Sequence, residues 1–268
     1  MKTIPQVLWL GLFIALSLFS ENARAEATLD KIERTGEFVI GYRADASPLS
    51  YENADGEPSG YSVDICRRVA AAVNEHFASQ DIKTRYVKLT PDARISAVVD
   101  GTVDIECGST TITLSRQKQV DFSIPTFVTG GSFMTEKKSG IRLFSELTGK
   151  KIGVGRNTTT AEQLQNHLKE TMIDAEVVLF ETREEGMRLL NRGEVDAVAS
   201  DQIVLIGQII ESVKPDSYTL SNEIYSYEPY GLVMRRNDAD FRLVVNTAIA
   251  RIYRSGLQAE IFYKWIGR

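Results

Sequence analysis

Ser96-Ala97-Val98-Val99-Asp100-Gly101-Thr102-Val103-Asp104 and Met187-Arg188-Leu189-Leu190-Asn191-Arg192-Gly193-Glu194-Val195-Asp196 carry one pattern. Each reads as a helix end, a glycine stop and an x-Val-Asp step into a strand. Eight residues beyond Gly101 stands Ser109, and eight beyond Gly193 stands Asp201. Both are therefore expected just past the carboxyl end of an equivalent strand, where open α/β sheets bind their ligands. If two such units face each other, Ser109 and Asp201 look across one cleft.

Working outward, Glu37 to Arg43 alternates like a strand and runs into a loop with Asp45, Ser47 and Pro48. Tyr61 to Phe77 sets apolar residues at 65, 69, 72, 73 and 77, a helical period. A strand over 84–89, a helix over 92–99 and a strand over 103–107 follow. This β-α-β-α-β order predicts a mostly parallel sheet covered by helices. The same order restarts with a strand at 151–154, a helix opened by Thr158-Thr159-Thr160, a strand at 176–180, a helix at 184–190 and a strand at 195–199. Apolar connections at 127–133 and 227–234 flank the second unit. Asp240 to Trp265 is helical by period with no sheet of its own, so it is expected to pack back on the first unit.

The composition sets limits. With 43% hydrophobic and 25% charged residues the chain can build packed cores, which excludes disorder. The net charge of -5 is spread along the chain, against the basic surface that nucleic-acid binding needs. Lys2, the apolar run Val7 to Phe19 and Ala23-Arg24-Ala25 read as a secretory signal over residues 1–25, cleaved before Glu26. The run is shorter than the roughly 20 residues of a membrane span. Without Lys2, Glu21 and Arg24 the charge becomes -6. An exported, mildly acidic protein is expected.

Catalytic patterns find no support. The two histidines, His76 and His167, fall on helices beside polar neighbours, and no G-x-S-x-G, H-E-x-x-H or Asp-rich calcium loop occurs. Gly153-Val154-Gly155 lacks the third glycine of a dinucleotide turn, so neither cofactor nor metal is expected. The informative stretch is Glu106-Cys107-Gly108-Ser109-Thr110-Thr111 with Arg116 five residues later. It combines a strand end, hydroxyls, free backbone N–H groups and a guanidinium that pairs with carboxylates. The Thr158–Thr160 helix opening is a second anion site. With Asp201 the set is complementary to an amino acid, its carboxylate toward Arg116 and the N–H groups and its ammonium toward Asp201 and Ser109.

At these residues, and at Gly41-Tyr42-Arg43, Gly60-Tyr61-Ser62-Val63-Asp64 and Arg116-Gln117-Lys118-Gln119, the chain resembles the periplasmic amino-acid-binding proteins of ABC importers, family 3. Within that family it is most similar to the branch that binds L-glutamate and L-aspartate. The resemblance covers essentially all of 26–268. It implies an α/β, two-lobed, periplasmic-binding-protein-like (type II) fold. Each lobe would be a mostly parallel sheet with helices on both faces, joined by two hinge strands, with lobe 1 from 26–128 and 229–268 and lobe 2 from 129–228. It further implies closure on one amino acid, delivery to an inner-membrane ABC permease, a monomer and no catalytic step.

Carried over by motif, Arg116 holds the α-carboxylate with Thr111 and the Thr159-Thr160 turn, while Ser109 and Asp201 take the ammonium. Arg43 and Arg94 receive a side-chain carboxylate, which must be paired once buried. Arg183 stands where the family pattern has a histidine, and Pro91 where it has a serine. The 156–160 turn is one residue longer than usual. The choice between glutamate and aspartate and the contacting threonine therefore stay open. So does the state of Cys66 and Cys107, which an exported location allows as a disulfide or as two buried thiols. A cyclohexadienyl-dehydratase-like enzyme and a broad-range amino-acid-binding protein are the alternatives on the same fold.

Overall fold

The computed structural model describes residues 26–78 and 80–267. The expected signal segment, 1–25, lies outside the described residues. In chain order the elements begin with α1 (Thr28–Thr35), β1 (Glu37–Arg43), a small three-stranded hairpin over 45–59, and α2 (Tyr61–His76). Then come β2 (Lys83–Leu89), α3 (Ala93–Val99), β3 (Ile105–Glu106), β4 (Val120–Phe122) and β5 (Phe127–Thr129). The second unit is β6 (Gly131–Glu136), β7 (Lys151–Gly155), α4 (Thr159–Glu170), β8 (Glu176–Phe180), α5 (Arg183–Asn191), β9 (Ala197–Asp201), α6 (Gln202–Glu211) and β10 (Tyr218–Leu220). The chain returns through β11 (Glu228–Tyr230) and β12 (Val233–Arg235), and closes with α7 (Ala239–Ser255) and α8 (Leu257–Trp265).

Two five-stranded sheets result, in the orders β2-β1-β3-β12-β4 and β8-β7-β9-β6-β10. In each, the first three strands are parallel, the fourth is antiparallel to them, and the fifth is antiparallel to the fourth. Alternation divides each core over two faces. Phe38 and Ile40 pack under α2 and α7, while Val39 turns to Leu89, Val98 and Val103. In the second sheet Ile152, Val154 and Ala199 face Leu164, while Val198 faces Phe180 and Leu190. β5 and β11 cross between the sheets as an antiparallel pair, Thr129 opposite Glu228 and Phe127 opposite Tyr230. The molecule is two-lobed.

The Val-Asp repeat has one physical meaning in both lobes. Gly101 and Gly193 take left-handed φ of 79° and 69° to end their helices. Val103 and Val195 are buried. The Asp104 carboxylate accepts the Val39 N–H at 2.8 Å, and the Asp196 carboxylate accepts the Lys151 N–H at 2.8 Å. Each aspartate thus ties its own strand to the first strand of its lobe.

Several boundaries differ from the sequence reading. The strand expected over 103–107 is regular only at Ile105–Glu106, although the Asp104 and Cys107 N–H groups on either side still donate to β1. β9 runs on to Asp201, since β6 pairs with it along its whole length, Asp201 opposite Gly131. Asp201 is therefore the last strand residue, not a residue past it. The expected helix 240–265 is two, broken where Gly256 adopts φ 79°. Its apolar side, Phe241, Val245, Ile249 and Ile252, packs in the first lobe's core as expected. Cys66 and Cys107 form a disulfide with Cα atoms 6.3 Å apart, tying α2 to the end of β3.

Candidate functional site

The cleft between the lobes lies at the carboxyl ends of the parallel strands of both sheets, and the chain supplies it in order. β1 ends in Arg43, and the turn after β2 holds Pro91 and leads to Arg94 on α3. The segment after β3 holds Ser109 and Thr111. From the facing lobe, Thr158 caps α4 by accepting the Ala161 N–H, which presents Thr159 and Thr160 in its first turn. Thr182 caps α5 in the same way and places Arg183 at its start. Asp201 ends β9.

Arg43, Arg94, Ser109, Thr111, Thr159, Thr160, Arg183 and Asp201 line one cavity, together with Asp45, Pro91, Phe180 and Gln208. Arg116 is not part of that wall. Its Nη1 donates to the Thr111 carbonyl oxygen at 2.8 Å, beside the cavity. Arg94 is buried and donates to the Ser109 carbonyl at 3.3 Å and to Thr110 Oγ1 at 3.1 Å. Thr110 donates in turn to the fully buried Glu106. Arg43 pairs with Asp45 at 2.5 Å, while its Nε is buried without a partner among the described residues. Arg183 donates across the cleft to the Asp45 carbonyl. Among the described residues no carboxylate lies within ion-pair distance of Arg94, Arg116 or Arg183, whose hydrogen bonds go to neutral oxygens.

Burial dominates the electrostatics. It pushes the Arg94 pKa down to about 9, helped by Arg116 and Arg43, so the guanidinium stays charged at neutral pH. Burial lowers Arg116 and Arg183 too. It raises Glu106 against the pull of Arg94, and raises Asp201 further with the help of the Glu228 charge. Burial works to raise Asp45 as well, yet Arg183 and Arg43 hold it below the usual carboxylate range. Asp201 is held on two sides, by the Tyr230 hydroxyl and by Thr160 Oγ1 at 2.8 Å.

Several members of the site were not singled out from sequence. Asp45 reads only as part of a loop and Tyr230 and Glu228 only as part of a connection, while Gln208 lies on α6, a segment to which the sequence reading assigned no element. Glu106 was legible as part of Glu-Cys-Gly, yet its burial against Gly108 was not: a Cβ there would stand 2.1 Å from Glu106 Oε1. Among the described residues no cluster of three or more His, Cys, Asp and Glu side chains is placed to hold a metal ion. His76 is exposed, and His167 packs on Phe144 and Tyr225, away from the cavity.

The lobes also meet at α6. Its Ile203 and Val204 join the first lobe's core, whereas Leu205 joins the second's. Gly207 lies so close to the hairpin that a Cβ would come within 2.3 Å of the Ser47 carbonyl. Gly207→Ala is expected to prop the lobes apart. Overpacking of about 1–3 kcal/mol corresponds to roughly 5- to 150-fold weaker ligand binding with the separate lobes intact. Calorimetric titration checks it, and unchanged affinity would show that this contact does not form on closure.

Residues 38–268 match bacterial extracellular solute-binding proteins, family 3. The chain is 36% identical to the L-glutamate/L-aspartate-binding protein of Pseudomonas aeruginosa over 239 residues, 89% of this chain and 79% of that one. It is 32% identical to the glutamate/aspartate import solute-binding protein of Salmonella typhimurium over 265 residues, 98% of this chain and 88% of the relative. Among solved structures it is similar to the P235GK mutant of the arginine-binding protein ArgBP from T. maritima. The TM-score there is 0.78 at 25% identity, covering 90% of this chain and all of the other. Among the described residues no helix is long and apolar enough to cross a membrane. With two like sheets, a paired double crossing and a cleft lined by arginines, hydroxyls and one buried aspartate, the chain belongs to the bacterial extracellular solute-binding proteins, family 3.

Proposed function

We propose that this protein captures L-glutamate and L-aspartate in its interlobe cleft, outside the inner membrane, and presents them as a monomer to an ABC permease. The observation that carries the reading is that the buried Arg94 and the half-buried Arg116 and Arg183 hydrogen-bond only to neutral oxygens. A buried cation is costly until a carboxylate approaches it. An amino acid with two carboxylates supplies one to the backbone N–H groups around Thr111 and the α4 opening, and a second to Arg43 and Arg94. Its ammonium goes to Asp201 and Ser109. Arg116 acts on this site through the Thr111 backbone. The lobes divide at 128/129 and 228/229, in the paired crossing strands, and bending there opens and closes the cleft. The ligand bridges both lobes and so favours the closed form.

A ring-eliminating enzyme of the cyclohexadienyl-dehydratase type fits less well. Its substrate needs an apolar wall, and here Phe180, Pro91 and Ala199 are the apolar surfaces in a ring of charged and hydroxyl side chains.

A thermal-shift screen of the twenty amino acids tests the assignment. At 1 mM, a ligand of micromolar Kd stabilises the folded state by about 4 kcal/mol, a rise of roughly 8–16 °C. Glutamate and aspartate are expected to give it and glutamine is not, because an amide leaves the arginines uncompensated. Arg43→Ala and Arg94→Ala are expected to narrow the gap between glutamate and glutamine. Equal shifts by glutamine and glutamate in the unaltered protein would refute the acidic specificity.

A further inference from the structure

Glu228 lies on the returning crossing strand β11 and is 1% exposed. Its Oε2 accepts the hydroxyl of Thr111 at 2.6 Å and that of Thr159 at 2.9 Å. The two hydroxyl oxygens stand 3.3 Å apart, as two donors sharing one acceptor do. Its Oε1 accepts from Ser226 Oγ at 2.8 Å, and Ser226 Oγ itself accepts the Gly131 N–H.

These donors belong to different bodies. Thr111 is fastened to β11 on the first lobe's side: it bridges Tyr230, and the Ile112 N–H donates to the Pro229 carbonyl at 2.7 Å. Thr159 opens α4 of the second lobe. An ionised carboxylate only accepts hydrogen bonds, and those bonds are stronger than neutral ones. Oε2 therefore joins the lobes only while they are together, since opening the cleft carries Thr159 away from Thr111.

There is a second consequence. Each hydroxyl has one proton. With both protons committed to Glu228, Thr111 Oγ1 and Thr159 Oγ1 have none left to donate into the cavity, so a carboxylate there is met by the backbone N–H groups and not by these hydroxyls.

We propose that Glu228 is a positioning residue for closure: its buried carboxylate latches Thr111 of one lobe to Thr159 of the other and commits both hydroxyl protons. This rests on the reading of the protein as an amino-acid binder that closes. It adds a residue that touches no ligand and acts equally on every ligand that closes the cleft.

The test compares Glu228→Gln with the unaltered protein, using ligand titration and an interlobe spin-label or fluorescence distance. Glutamine keeps the size but replaces one acceptor with a donor and removes the charge. Loss of one charge-assisted bond in the closed form should raise Kd about 10- to 100-fold. The loss should be the same factor for glutamate and aspartate, should come from faster dissociation, and should lower the closed fraction at equal ligand occupancy. Unchanged Kd and closed fraction in a folded Glu228→Gln protein overturn the proposal, and so does a loss that differs between the two ligands. If Glu228→Gln does not fold, Thr159→Val and Thr159→Ser decide. Reduced closure without ligand in the valine variant, restored by serine, supports the latch; equal ligand-free closure in all three overturns it. The two readings fail separately: an unaltered protein that binds no amino acid refutes the proposed function, whereas the ligand-free distances still report on Glu228.

Discussion

Asp201→Asn is expected to weaken glutamate and aspartate binding by between about 100- and 1,000-fold while leaving the fold at least as stable. The side chain is 8% exposed, and its carboxylate accepts from Tyr230 and Thr160 while lining the cavity. Asparagine keeps the size and one acceptor but removes the charge that meets a ligand ammonium. Breaking a buried ion pair from one side costs about 3–5 kcal/mol, and the lower part of that range, about 3–4 kcal/mol, is two to three decades in Kd. The fold responds with the opposite sign. Burial, helped by the Glu228 charge, raises the Asp201 pKa above its unfolded value. Its ionised form therefore opposes folding as pH rises through the unfolded pKa, and a neutral isostere removes that opposition. Binding needs the ionised form. Affinity should fall about tenfold per pH unit below the raised pKa, starting above the ordinary carboxylate range, and this acid limb should vanish in Asp201→Asn. Titration calorimetry across pH checks both. Binding within threefold of the unaltered protein would remove Asp201 from the ammonium site.

Removing the Cys66–Cys107 disulfide is expected to cost about 4 kcal/mol, from the chain entropy of a loop closed over a separation of 41 residues. For a chain of this size that lowers Tm by roughly 8–16 °C. The bond also bears on the site. Cys107 is followed directly by Gly108, Ser109, Thr110 and Thr111, and Cys66 is buried on α2 in the core beneath the first sheet. Reduction releases the one covalent tie between that loop and its helix. Thermal unfolding of the paired Cys66→Ala, Cys107→Ala variant measures the effect. Identical melting with and without the bond would mean that it contributes no net stability.

Local signals carried much of the fold. The Val-Asp repeat could be read before any coordinates because it is written in short-range chemistry: a glycine that must turn left-handed, a valine that must be buried and an aspartate whose carboxylate serves a neighbouring strand. Ser109, Thr111 and Asp201 could be singled out because they stand at or after the carboxyl ends of strands, and Arg43 and Arg94 through the family resemblance. The reading failed once on a local conformation and once on a remote contact. Gly256 stands inside a helical period, and its conformation breaks the helix. Asp201 belongs to its strand because β6, more than sixty residues earlier, runs along it.

What the sequence by itself determined is the grammar: two βα units, apolar crossings, a set of arginines and hydroxyls at strand ends, and two cysteines without a stated partner. Periodicity, caps and turn residues act over a few positions, so they are legible there. Only the tertiary structure decided that the cysteines bond, that Arg116 donates to the Thr111 carbonyl, and that Glu228 meets a hydroxyl from each lobe. Those outcomes depend on which remote groups lose water together when the lobes pack. A buried carboxylate takes whatever donors the closed geometry brings to it, and no spacing along the chain records that encounter.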